Sequence, residues 1–391
     1  MFDWVGCLLR MVYVYGFVIG VSNFEIDWRA GRVFRSIRST AYAALINILI
    51  VVTMSFQVAT DTNLNVMFGN ANKLHEYVVV VMSVLRIIAG LTVLLIRWTQ
   101  RCKVMKLVRI LIRLYFDKPQ IKRISRWAIL AKIMTVTSKD FLQVALSLEV
   151  LGRLGGRQAM GMYMQFGMAA LMSYALSQHY LVMLFVRVEY QILNSELEQV
   201  IEESCWLSYH SPRNGVFMTR CCYLADRLED IGKRQDEVQS IVTYLGEVFG
   251  VQGLLTFTEN YISSVGNTYL IFSLFKYGRE RLGMPLNAVI LSACWFFFHY
   301  LDAFRSHLIM LSILDEHRRM ASLLQERSVF AQGLDVRLEQ TFETYLFQLA
   351  RNPLKMHVMH MFPISHSFTT AMFGSIAMNS IYLIQYDMQY F

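Results

Sequence analysis

Two sets of residues in this chain have types and spacings that could do chemistry: charges embedded in long apolar stretches, and a polar-tipped stripe close to residue 390. Asp302 and Arg305 stand three residues apart, a spacing that puts both on one helical face where they can pair. Lys139 and Asp140 are adjacent, so they diverge around a helix and must find partners on other elements. A charge at the centre of a membrane-crossing helix costs about 2.5–3.5 kcal/mol, so these four read as structural or gating pairs ahead of ligand contacts. Patterns for covalent or metal-assisted catalysis are missing: the chain has no phosphate-binding glycine loop, no HExxH and no glycine-flanked nucleophilic serine. His357, His360 and His366 do not share a helical face, and the six cysteines show neither a CxxC pair nor zinc-finger spacing. Adjacent Cys221 and Cys222 read as small buried helix residues. The expectation is a protein without enzymatic activity, metal or other cofactor.

The stripe lies in "ISHSFTTAMFGSIAMNSIYLIQYD", where Ala371, Gly374, Met378, Ile381 or Tyr382, and Gln385 recur at steps of three or four and therefore share one face. Small residues mark one end of that face and an amide the other. Such a face is either a seam for helix packing or, if several copies meet around an axis, the lining of a pore that narrows toward Gln385 and Tyr386. Asp387 follows, as a solvated terminal charge or as a ring of negative charge that concentrates cations at a mouth. Pro363 precedes the stripe and is expected to split the last helix in two.

The elements that must carry these residues follow from composition. The chain has 391 residues, 55% hydrophobic, 13% aromatic and only 17% charged. It is too apolar for a water-soluble globule of that length. Seven stretches reach the roughly 20 apolar residues needed to cross a bilayer, at 39–59, 74–98, 127–151, 160–186, 248–275, 286–312 and 363–386. The third is interrupted by Lys132, Lys139, Asp140 and Glu149. Only five prolines occur, which suits an all-α polytopic architecture. "LLRMVYVYGFVIGV" near the start contains Arg10 and lacks a small-residue cleavage site after it, so it reads as an interfacial helix instead of a cleaved signal.

Long and short segments alternate between these spans, and the long ones hold Lys and Arg in more than fourfold excess over the short ones. By the positive-inside rule the long segments and the N-terminus are expected in the cytoplasm, and with seven spans the C-terminus outside. This orientation excludes a G-protein-coupled receptor, whose N-terminus is external. It also makes the formal charge of +8 a topological signal, with no nucleic-acid partner implied. Apolar stripes at Tyr190, Leu193, Leu197 and Ile201, again at Leu224, Leu228, Ile231, Val238 and Val242, and a third time within 313–349, extend the helices into a cytoplasmic anchor bundle. That bundle either packs subunits together or serves the fold of one subunit. The resulting division is residues 1–312 with the interfacial helix and six spans, 313–362 with anchor helices, and 363–391 with the last helix.

Residues 351–386 resemble the C-terminal signature of insect gustatory receptors, in which Thr-Tyr, five apolar residues and Gln-Phe end the seventh span. Here the positions read Met378, Asn379, "SIYLI", Gln385 and Tyr386: the Gln matches, Tyr replaces Phe, and the Thr-Tyr pair is absent. "LLRMVYVYGFVIGVSNFEIDWRAGRV" and "TRCCYLADRL" are similar to the bitter-taste branch of flies, and the resemblance spans essentially the whole chain. It implies a tastant-gated, nonselective cation channel in the plasma membrane of gustatory receptor neurons, a homotetramer or a heterotetramer with other gustatory receptors. The pore and gate would then be Met378, Ile381, Gln385, Tyr386 and Asp387. A polytopic transporter, or a seven-helix receptor signalling without its own pore, is the alternative.

A pocket for a small tastant is expected in the outward halves of the spans, where Tyr77, Ser83, Gln143, Tyr163, Tyr174, Asn260, Tyr261, Tyr269, Trp295 and His299 supply aromatic walls with amides and hydroxyls. Membrane lipid is the other expected small partner.

Overall fold

The computed structural model describes residues 3–59, 73–151, 156–209, 214–281, 285–330, 334–358 and 362–390. Among them the helices are α1 (Trp4–Val18), α2 (Ile37–Ala59), α3 (Lys73–Thr99), α4 (Arg101–Asp117), α5 (Pro119–Leu151), α6 (Gly156–Tyr209), α7 (Asn214–Arg281), α8 (Leu286–Phe330), α9 (Val336–Arg351) and α10 (His366–Tyr390). Six of the expected apolar stretches fall wholly on one helix each, and the last, 363–386, begins three residues before α10. Five helices, α2, α3, α6, α7 and α8, are long and apolar enough to cross a membrane by length and composition. The other two sites of expected crossing are α5, with four charges inside the expected span, and α10, rich in Ser, Thr, Asn and Gln.

Three helices greatly exceed a bilayer. α6 and α8 run 54 and 45 residues and α7 spans 68 with a break at Gly278, and at about 1.5 Å per residue even the shortest is twice the roughly 30 Å of a hydrocarbon core. Their polar-faced halves gather with α9 into one core. Tyr190, Leu193 and Leu197 of α6, Leu224 and Leu228 of α7, and Leu338 of α9 are all fully buried there. Most of the apolar stripes read from the sequence are thus buried inside one subunit. Polar clamps close the same bundle: Glu316 of α8 accepts from Asn194 Nδ2 at 2.9 Å and Gln191 Nε2 at 2.9 Å, and Arg337 of α9 meets Asp226 of α7 at 2.5 Å.

The expected all-α fold needs one correction. Two short antiparallel ladders interrupt it, β1 (Glu25–Asp27) with β2 (Arg32–Phe34) and β3 (His357–Val358) with β4 (Phe362–Pro363). The first turns because Asp27 Oδ1 accepts from the backbone N–H of Arg29 at 2.9 Å and Ala30 at 3.2 Å, and Gly31 supplies φ +63°. The second occupies the break expected at Pro363, which is wider than one kink: α9 ends just before Pro353 and α10 begins after Ser365.

Close approach of α1 to α6 depends on Gly16, where an added Cβ would lie 2.0 Å from the Tyr174 ring. Tyr174 is itself buried and bonded to Ser22 Oγ at 3.0 Å, so it has little room to retreat. Gly16→Ala is expected to lower stability by about 1–3 kcal/mol through overpacking, whereas Gly253→Ala, with open space around it, should be neutral or slightly stabilising. Thermal melting of the two purified variants checks the contrast; equal melting points would contradict this packing.

Candidate functional site

Four helices and one side chain of a fifth enclose a cleft in the apolar half of the molecule. α5 brings Lys139 and Gln143, α6 Met172, Ser173 and Leu176, α7 Thr256, Glu259 and Asn260, α8 Trp295, His299 and Asp302, and α3 adds Arg86. The cleft holds about 490 Å³ of atom-free space. One wall is aromatic: the Trp295 and His299 rings stack at 5.0 Å and 12°, one helical turn apart on α8. Trp295 Nε1 and Gln143 Nε2 are buried without an acceptor among the described residues. Two hydrogen-bond donors thus stand beside a flat apolar wall.

The floor of the cleft is charged, and its cations are paired to carboxylates. Asp302 receives Lys132 Nζ at 2.5 Å and Lys139 Nζ at 3.6 Å, with Thr135 Oγ1 3.4 Å away. Lys132 also donates to Ser306 Oγ at 2.9 Å and Lys139 to Ser173 Oγ at 2.7 Å. Lys132 and Lys139 reach one carboxylate because seven residues are close to two full helical turns, which puts both on the same face of α5. Asp302 therefore does not use Arg305, its expected partner; a buried carboxylate gains more from two converging ammonium groups than from one neighbour on its own helix. Asp140 diverges as the sequence implied and accepts from Tyr15 of α1 at 2.9 Å. Arg86 and Glu259 form a further pair at 3.3 Å, with Ser263 Oγ donating to Glu259 at 3.0 Å.

Of the expected pocket residues, Gln143, Asn260, Trp295 and His299 line this cleft. Tyr174 faces a different cavity beside α1. Tyr77 is exposed on α3 and Ser83 is half-buried outside the cleft lining. Tyr163 lies outside the described side chains. Tyr261 and Tyr269 turn to the last helix. Sequence reasoning missed Arg86, Glu259 and the Lys132–Lys139 pairing; the i, i+7 spacing of the two lysines was the available signal.

α10 packs on α7 through one face only. Tyr261 OH meets Ser375 Oγ at 2.6 Å and accepts from Asn379 Nδ2 at 2.8 Å. Farther along, fully buried Asp387 takes Lys276 Nζ at 2.9 Å, Tyr277 OH at 3.0 Å and Tyr269 OH at 3.1 Å. The charge ring expected at Asp387 is corrected here: the carboxylate points into the subunit, because α7 offers it a cation and two phenols. Gln385 sits two residues back, about 200° around the helix, and is exposed together with Gly374, Met378, Ile381, Tyr382 and Tyr386. The stripe read from the sequence is the face of α10 that its own subunit leaves uncovered.

Removing Asp302 strands two buried ammonium groups. Asp302→Ala should cost about 3–5 kcal/mol, while the combined Lys132→Met, Lys139→Met, Asp302→Leu variant should regain most of that loss. Yield and melting temperature of the detergent-purified protein check both; an Asp302→Ala protein as stable as the parent would contradict the buried network.

Residues 9–390 match the family model described as 7tm Chemosensory receptor. The chain is 48% identical to gustatory receptors 36a and 36b of Drosophila melanogaster, over the full length of each, and 33% identical to gustatory receptor 59d of the same fly, again over all of both chains. Its fold is similar to that of the olfactory receptor OR5 from Machilis hrabei, with a TM-score of 0.66 at 12% identity, covering 98% of this chain and 100% of that one. The same receptor in complex with eugenol matches with a TM-score of 0.63. A mostly helical chain with apolar helices, a family model spanning nearly all of it, and full-length relatives of one kind place it together: the protein belongs to the insect gustatory receptor family, within the 7tm chemosensory receptors.

Proposed function

We propose that this gustatory receptor is a tastant-gated, nonselective cation channel whose pore is lined by the exposed stripe of α10 from four subunits, in the plasma membrane of gustatory receptor neurons. The observation that carries the reading is the one-sided packing of α10, which buries Ser380 and Asp387 against its own subunit and leaves Met378, Ile381 and Gln385 uncovered. Gln385 and Gln389, exposed at the outer end of that face, make it unsuited to lipid there. Around a fourfold axis the same side chains form successive rings, and Gln385 with Tyr386 narrows the outer end. The N-terminus and the basic segments then lie in the cytoplasm, and α5 and α10 complete seven crossings.

The cleft is the tastant site in this account. Its stacked Trp295 and His299 favour a flat, partly aromatic compound, and the donors of Trp295 and Gln143 favour one bearing hydrogen-bond acceptors. Because positive and negative side chains already pair on the floor, a neutral ligand fits better than an ion. Such chemistry suits many bitter compounds. α7 links the cleft to the pore: Asn260 lines the cleft, and adjacent Tyr261 holds Ser375 and Asn379 of α10. A ligand that shifts α7 therefore acts on the helix that orients the gate.

Whole-cell current under a panel of bitter compounds, with the chain alone and with co-expressed family members, tests the function. Cation current that is lost in Trp295→Ala and whose basal leak or ion selectivity changes in Gln385→Ala is the expected result. Substrate-coupled flux without conductance in every combination would replace the channel with a transporter.

A further inference from the structure

A second cavity, larger than the tastant cleft, lies beside the N-terminal helix. α1, the β1–β2 hairpin, α4, α6 and Phe249 of α7 enclose about 750 Å³ of atom-free space, and its walls are almost wholly hydrocarbon, with Val12, Phe24, Leu107, Leu111 and Leu181 among them. Most of the polar side-chain atoms on its walls are already engaged. Tyr13 OH donates to the Phe24 carbonyl at 3.0 Å, Tyr115 OH donates to Asp3, Tyr174 OH meets Ser22, and Gln178 Oε1 accepts from Arg97. An interior this rich in hydrocarbon, with only the N–H groups of Trp28 and Gln178 uncommitted at its wall, selects a largely apolar guest, since a polar one would lose its hydration without compensation.

Two further observations identify that guest. The far side of α1, at Trp4, Met11, Val14 and Val18, is exposed and apolar, so one helix alone stands between the cavity and an apolar exterior. The surrounding elements are basic: α1, the β1–β2 hairpin and α4 together carry eight Lys and Arg against three Asp and Glu. Two cations touch lining aromatics, with the Arg10 guanidinium 5.8 Å from the Trp28 ring and Lys122 Nζ 4.0 Å from the Tyr115 ring. Asp3, which pairs with Lys122 at 3.7 Å, offsets only part of this charge. We infer that this cavity is a lipid site that takes one acyl chain of an anionic membrane phospholipid, with the headgroup held at the basic rim beside Arg10 and Lys122. The chain fills the hydrocarbon interior, and the phosphate interacts with the rim as a point of charge complementarity. The site is separate from the tastant cleft and stands whether or not the channel reading does.

The test uses the full-length protein reconstituted in phosphatidylcholine vesicles with a minor share of phosphatidylserine bearing a photoactivatable diazirine acyl chain. Cross-links are expected on peptides of α1, β1–β2, α4 and residues 181–185 of α6. Leu111→Trp and Val12→Trp, which fill the cavity from opposite walls, should each reduce that labelling about fivefold or more, with gel filtration confirming that the variant is folded. Arg10→Gln with Lys122→Gln should weaken phosphatidylserine labelling while leaving the weaker labelling by the equivalent diazirine phosphatidylcholine unchanged. Labelling that is equal for the two lipids, or that spreads over the exposed faces of α2 and α3 and ignores both filling variants, would overturn the proposal. Displacement of the phosphatidylserine probe by free palmitate at equal concentration would overturn the phospholipid as the occupant and assign the cavity to a fatty acid.

Discussion

The rotation of the last helix rests on Asp387. A carboxylate buried near the end of the last helix requires compensation, and α7 supplies it with Lys276, Tyr269 and Tyr277. Those contacts, with the Tyr261–Ser375–Asn379 bonds two to three turns away, leave α10 one orientation against its own subunit. The uncovered stripe follows from that constraint. Rotating α10 to hide Gln385 would withdraw Asp387 from its cation, so the polar clamp and the exposed face are one design.

The same logic organises the cleft. Lys132, Lys139 and Asp302 hold α5 to α8, and Arg86 with Glu259 holds α3 to α7. These pairs join the helices that border the proposed tastant site while leaving the indole and amide donors above them unclaimed. Fixed charges below and unpaired neutral donors beside an aromatic wall separate the task of holding the helices from that of reading a ligand. α7 connects the two regions, since its cleft-lining residues and its grip on α10 lie within one continuous helix.

Much of this was legible in one dimension because membrane crossing and helical periodicity leave strong patterns. Six expected apolar stretches lie wholly within helices and the seventh begins three residues before α10, and the stripe from Gly374 to Gln385 proves to be one face. The two hairpins were not legible, because strands of two or three residues have no periodicity of their own; the Asp27 turn and Gly31 act locally. Pocket membership was only partly legible. Trp295 and His299 share a turn and a wall, whereas Tyr174 and Tyr269 differ from them only in rotation about their helices, which depends on neighbours distant in sequence. Asp387 failed for the same reason: its partners lie more than a hundred residues away on α7.

The claim that the uncovered face of α10 meets its counterparts around an axis is tested most directly by oxidative cross-linking in membranes. Gln385→Cys and Ile381→Cys, placed on the uncovered face, should form disulfide-linked dimers on oxidation, whereas Ser380→Cys, on the face buried against α7, should remain monomeric on the same gel. Equal cross-linking from both faces, or none from Gln385→Cys and Ile381→Cys in a properly assembled protein, would contradict it.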